Sequence, residues 1–163
     1  EDSRYRIVAE GSGAKDVDVS IQSKYEFPVF IGADVELSVT SDKVQSVKWN
    51  MGAGERNSIA ESTVEFLGLP GNWEEVDGVY LPHLKVSEDY RGMGLGALFF
   101  DVGAALSIHL NIPMSGEIGG THDTANFFHS MGVSRDNIFT MTESVLFEVE
   151  PEDLVRSERR TVL

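Results

Sequence analysis

Between Tyr90 and Ala97 the chain reads Tyr-Arg-Gly-Met-Gly-Leu-Gly-Ala, where an apolar segment gives way to a helical pattern. Glycines at alternate positions, Gly92, Gly94 and Gly96, let a backbone adopt conformations closed to other residues and approach a bulky anion closely. The N–H groups left unsatisfied at the start of the following helix point at such an anion, and the helix dipole presents its positive end there. Arg91 adds a permanent charge with forked donors for phosphate oxygens. This spacing predicts the gripping of a phosphate-bearing ligand. The same stretch spells G-x-G-x-x-A through Gly92, Gly94 and Ala97, with Glu117 about 20 residues further on, so a dinucleotide turn is the rival reading. Against it, Ser87 to Arg91 separate Val86 from the first glycine, whereas a dinucleotide turn follows its strand directly. The motif also begins past the midpoint of the chain, which leaves too few residues for a second half-sheet.

Acid–base candidates stand on both sides of the turn. Tyr80 shares the face of an alternating segment with Pro82, Leu84 and Val86 and is a candidate general base; the alternative is a tyrosine packed in the core with its hydroxyl satisfied. His83 is expected on the opposite face. Glu117, near the end of a second short strand, can orient an amine or be a plain strand-end acid. His122 and Asp123 fall at a helix start, where capping is the simpler role. His109, His122 and His129 lie on different elements without an H-x-x-x-H spacing, so no metal site is expected. Phe99-Phe100 and Phe127-Phe128 read mainly as core, and Trp49 and Trp73 as candidates for the border of an acceptor pocket.

The elements that must position these groups follow from periodicity. Alternating, β-branched stretches predict strands over Arg4–Ala9, Val35–Thr40, Val44–Trp49 and Thr63–Leu67; Val17–Ser23 fits a strand or one side of a helix. Gly52-Ala53-Gly54 and Pro70-Gly71-Asn72 mark loops, and Trp73–Asp77 a surface connection. Val79–Val86 is apolar enough for a central strand, and Pro82 inside it predicts a bulge or a splayed strand. Leu95, Leu98, Phe99, Val102, Leu106 and Leu110 recur at helical spacing, with Asn111 and Pro113 as the stop. Met114–Ile118 fits a strand, a helix runs to about Met131, and closing strands follow near Ile138–Met141 and Val145–Val149. Pro151–Leu163 reads as a charged tail.

With 163 residues and 41% hydrophobic content, the chain supports one α/β domain. It carries 27 acidic against 13 basic residues, a net charge of −14, which disfavours binding to a phosphate backbone. Such a charge draws cationic substrates such as amines, or it is a solvated surface suited to concentrated salt; its spread along the whole chain favours the halophilic reading. With no apolar run near about 20 residues and no charged-then-apolar leader, no membrane association and a cytoplasmic location are expected. The absence of cysteine excludes disulfides and a thiol nucleophile.

The run Leu84 to Gly96 resembles the acyl-CoA signature of the GNAT superfamily of N-acyltransferases, with Arg91, Gly94 and Gly96 filling its core places. Phe127-Phe128-His129-Ser130-Met131-Gly132-Val133 is similar to the end of the family's second conserved helix, and the spacing between the two matches that of the family. The resemblance covers residues 79–149 and implies a mixed, mostly antiparallel sheet. Its central parallel pair splays into a V-shaped acyl-CoA cleft, with helices on both faces. Residues 1–78 would form a variable, β-rich acceptor-side half and 150–163 a tail. The backbone of Leu84, Lys85 and Val86 would pair with the pantetheine amides. Arg91, Gly92, Met93, Gly94, Leu95, Gly96 and Ala97 would hold the pyrophosphate, with Thr121 and Phe128 at two further cofactor positions. Thr121 stands where the family often has Asn, and Phe128 where many members carry a tyrosine general acid. The implied reaction is direct transfer of an acetyl or short acyl group from acetyl-CoA to a primary amine, on a small molecule or a protein, without a metal and in a possible homodimer. The alternatives are a nucleobase-modifying relative acting on DNA and a catalytically degenerate CoA-fold module.

Overall fold

One proline sets the shape of the sheet. In the computed structural model, residues 5–11, 18–23, 33–40, 45–53, 58–68, 76–86, 88, 95–120 and 122–156 are described. Among them are nine strands and three α-helices: β1 (Tyr5–Glu10), β2 (Asp18–Ser23), β3 (Ala33–Thr40), β4 (Gln45–Ala53), β5 (Ser58–Leu67), β6 (Gly78–Val86), α1 (Leu95–Leu110), β7 (Met114–Gly119), α2 (His122–Ser130), β8 (Ile138–Thr140), β9 (Ser144–Val149) and α3 (Pro151–Arg156). β1 and β2 form an antiparallel hairpin, and the other seven strands form one sheet in the order β3-β4-β5-β6-β7-β9-β8. Among the described strands its only parallel neighbours are β6 and β7, joined through α1. The mixed, mostly antiparallel sheet with one central parallel pair is therefore present.

β6 and β7 pair only at Val79↔Met114, Tyr80↔Ser115 and Leu81↔Gly116. The next residue on β6 is Pro82, which has no N–H to give to a ladder. On its other side β6 stays with β5, but the register shifts: Thr63 faces His83 while Glu65 faces Tyr80. Two residues of β6, Leu81 and Pro82, thus oppose the single Val64 of β5, a bulge at the place where proline is tolerated in a sheet. Ser62 Oγ donates to the His83 carbonyl at 2.8 Å and helps secure the disturbed stretch.

The core lies on one face of this sheet. Val64, Phe66, Val79, Leu81, Met114, Ile118, Val145, Phe147 and Val149 are buried there against Leu98, Phe99, Phe100, Val102 and Leu106 of α1. α2 joins the same layer, for Phe128 packs on Phe147 with ring centroids 4.4 Å apart and on Phe100 at 6.1 Å. No helix among the described residues covers the opposite face. Both long helices end in the same device. The amide of Ile112 bonds the carbonyl of Ser107 and that of Asn111 bonds Ile108; Val133 and Gly132 repeat this with Phe128 and His129. Asn111 and Gly132 take the left-handed conformation the turn needs, with φ 55° and 103°.

Three local expectations change. Ala53 and Gly52 belong to β4 rather than to a loop, and Val17–Ser23 resolves as strand β2 from Asp18, its residues paired along β1. The tail begins as a helix: Pro151 at its first position, Glu152 and Asp153 in the first turn, and Leu154 fully buried. The apolar Leu154 anchors a segment whose charge alone suggested solvent. No described helix is long and apolar enough to cross a membrane.

Gly116 closes the parallel ladder and has no room for a side chain. A Cβ there would lie 2.6 Å from the Leu81 carbonyl oxygen and 2.5 Å from the Phe147 ring. Gly116→Ala is expected to cost about 1–3 kcal/mol, as overpacking in a core does, in urea denaturation of the purified chain.

Candidate functional site

The bulge decides which side chains meet. Paired residues on adjacent strands point to the same face, so Tyr80, opposite Glu65, lies with His83, opposite Thr63. The expectation that Tyr80 shares a face with Leu84 and Val86 is corrected: strict alternation fails across Leu81-Pro82. Leu84 and Val86 instead turn toward the core layer and pack against it, partly buried, while His83 and Lys85 are exposed on the face of Tyr80. On that open face Tyr80 is flanked by Glu65 from β5 and by Ser115 from β7, with Glu117 two residues further along β7.

Glu117 is exposed and accepts a hydrogen bond from Ser144 Oγ at 3.1 Å, across the β7–β9 pairing. Tyr80 is half-buried, and its phenol is pushed above the ordinary tyrosine value, first by desolvation and then by the negative charges of Glu117 and Glu65. Both influences disfavour the phenolate, so the hydroxyl keeps its proton further into the alkaline range.

On the helix side, Gly96 and Ala97 occupy the first turn of α1, half-buried beside the end of β6. A Cβ at Gly96 would sit 3.6 Å from Phe127 and 4.0 Å from Val86, so α1 begins in the wedge between β6 and α2. Leu95 opens the helix. Arg91, Gly92, Met93, Gly94 and Thr121 lie outside the described residues. Phe128, expected as a cofactor contact, is corrected to a core residue: it is 0% exposed, enclosed by Phe100, Phe127 and Phe147. Two histidines are spent on backbone contacts, His109 Nε2 with the Gly11 carbonyl at 2.8 Å and His129 Nδ1 with that of Val133 at 3.2 Å. Among the described residues no group of three His, Cys, Asp or Glu side chains is placed to hold a metal ion.

Sequence reasoning missed Glu65, Ser115 and Ser144. Glu65 becomes a neighbour of Tyr80 only through the shifted register, and Ser144 reaches Glu117 from 27 positions away. The one available signal was Pro82, whose bulge fixes the register.

The raised phenol can be measured directly. In an ultraviolet titration of the four tyrosines, Tyr80, assigned by Tyr80→Phe, should ionise above the ordinary value of 10.0, and Glu117→Gln should bring it down. Because the folded value exceeds the unfolded one, the associated stability is intact below pH 10.0 and is lost as pH rises through the folded value. Tyr80→Phe should therefore resist alkaline unfolding better than the parent. Separately, Phe128→Tyr should destabilise by about 1–3 kcal/mol, because its hydroxyl would enter a phenylalanine cluster without a partner.

No protein-family model matches the chain, and no curated protein sequence matches it. Its chain arrangement is similar to solved acetyltransferases. The GNAT domain of a Streptomyces lividans protein, named PAT, matches at 16% identity over 64% of this chain and 60% of its own length, with a TM-score of 0.48. The match thus spans about three fifths of that domain. A GNAT family acetyltransferase from Elizabethkingia anophelis, solved with acetyl-CoA bound, matches at 10% identity over 64% of this chain and 76% of its own, with a TM-score of 0.44. A nourseothricin acetyltransferase covers 88% of this chain and 81% of its own length at 12% identity, with a TM-score of 0.47. Identities this low transfer neither a residue nor a substrate.

Proposed function

We propose that this chain is a GNAT-type N-acyltransferase, moving an acetyl or short acyl group from acyl-CoA to a primary amine within a ternary complex. One observation carries the reading: β6 and β7 part after Leu81 and Gly116, and α1 carries Gly96 in its first turn, in the wedge beside the end of β6. Parallel neighbours that separate in mid-sheet leave a slot between two backbones. An extended ligand with amides of its own suits such a slot, in the manner of an added strand. Leu84 to Val86 line it on the β6 side. A pyrophosphate at the end of that ligand suits the glycine-rich entry to α1, where backbone amides and the helix dipole favour an anion and Arg91 adds its fork.

The first turn of α1 is placed for such a group, half-buried beside the end of β6 with Gly96 facing Phe127 and Val86. Bound acyl-CoA supplies an activated thioester and a thiol leaving group. The chain's own residues provide the rest. The amine must arrive neutral to attack, and Glu117, steadied by Ser144, stands on the open face where it can take the ammonium proton. Glu65 and Glu117 give that face a negative field that draws a cationic acceptor in. The net charge of −14 fits small amines and protein amino groups better than nucleic acid.

A thiol-release assay with acetyl-CoA and a panel of amines, run at low and high salt, tests the reading. Turnover with at least one amine is expected; acetyl-CoA binding without turnover on any acceptor would reduce the chain to a binding module. Arg91→Ala should weaken acetyl-CoA by roughly ten- to hundredfold in calorimetry, the loss of one charge-assisted contact of about 1.5–3 kcal/mol.

A further inference from the structure

We infer that Tyr80 is the proton donor to the departing thiolate, with Glu117 as the separate acceptor of the amine's proton. The inference rests on the acyl-transfer reading above and deepens it.

Geometry comes first. Tyr80 belongs to the middle of the three pairs that hold β6 against β7, one residue before the strands part. It is therefore the last side chain on the open face of β6 before Pro82 and stands at the apex of the split, where an acyl carbon held between the strands would be reached. Leu81 and Gly116, the final pair, face the core and carry no titratable group. Beyond Pro82, His83 and Lys85 are exposed and lie further toward the mouth. On the β7 side Ser115 is half-buried, and its aliphatic hydroxyl is too weak an acid for the task. Phe128 cannot serve, having no proton to give and being sealed within its ring cluster.

Electrostatics agrees with that placement. The charged or titratable groups placed toward Tyr80 are Glu65 on β5, Glu117 on β7, Glu148 on β9 opposite Ser115, and His83 and Lys85 on β6 itself. Burial, Glu117 and Glu65 all act to keep the phenol protonated. A phenol held in that form is a donor throughout the neutral range.

The step balances. The amine nitrogen forms a bond to the acyl carbon, the carbon–sulfur bond breaks, and its electron pair goes to sulfur. Tyr80 passes its proton to that sulfur, giving the free thiol. The proton lost by nitrogen goes to Glu117 and from there, directly or through solvent, restores the Tyr80 phenol. No oxidant, metal or covalent enzyme intermediate enters.

The test uses the full chain with acetyl-CoA and its best amine. Tyr80→Phe should lower kcat by roughly a hundredfold, the lower end of what a positioned acid contributes, with acetyl-CoA binding by calorimetry unchanged. The parent should lose kcat at alkaline pH as the phenol ionises; Tyr80→Phe should lack that limb. Glu65→Gln, which removes one of the charges holding the proton, should move the limb to lower pH. A Tyr80→Phe variant that keeps kcat within about twofold overturns the inference while leaving acyl transfer intact. An activity that rises through the same alkaline range and needs Tyr80 overturns it in favour of a base. A parent chain that binds acetyl-CoA but acylates no amine overturns the acyl-transfer reading itself, and this role with it.

Discussion

The bulge at Leu81-Pro82 governs the arrangement of the strands on either side of it. A bulge bends its strand and interrupts the regular spacing of donors and acceptors that a parallel ladder needs. β6 keeps its pairing with β5 by inserting an extra residue, and gives up β7 after three pairs. The split is thus a local cost in hydrogen bonding, borne by a sheet that is otherwise paired across seven strands.

The separation is also bounded, and the bounds come from packing. At the closed end, Gly116 lets the Phe147 ring and the Leu81 carbonyl approach to distances that a methyl group would prevent. Beneath it, Phe100, Phe128 and Phe147 form one aromatic cluster joining α1, α2 and β9. Gly103 lies so close to Met114 that a Cβ there would come within 2.6 Å of its methyl carbon, seating α1 directly under β7. The strands therefore diverge from a fixed pivot. Aromatic burial of this kind is worth several kcal/mol for each side chain, enough to hold the pivot against the lost ladder.

How much of this was legible depended on whether the cause was local. Periodicity located the two central strands and both long helices, because apolar spacing at 3.6 and 2.0 residues is a property of consecutive positions. Asn111 and Gly132 announced their helix ends for the same reason. Pro82 announced a bulge, yet not its consequence: a single inserted residue reverses which side chains share a face. Tyr80 was accordingly grouped with Leu84 and Val86 when its companions are Glu65, His83 and Ser115. Phe128 failed differently. Its place in a helix was readable, but its complete burial is decided by Phe100 and Phe147, far away in sequence. The helix at Pro151 was readable in its proline and acids, and was masked by the charge around it.

The reversal of faces bears on chemistry as well as on placement. Had alternation run unbroken through Leu81-Pro82, the aliphatic side chains of Leu84 and Val86 would have shared the open face with Tyr80. The bulge instead turns Leu84 and Val86 to the core and leaves Tyr80 on a face with Glu65 and Glu117, where carboxylate charge reinforces the burial. The two influences differ in how they can be altered. Desolvation is fixed by packing around the ring, whereas the field of exposed Glu117 is screened by salt, over a Debye length of about 10 Å at 0.1 M and about 3 Å at 1 M. In concentrated salt the charge contribution to Tyr80 shrinks and the burial contribution stays. A phenol whose protonation rests first on desolvation and second on charge keeps its proton across that range, whatever the salt in which the chain works.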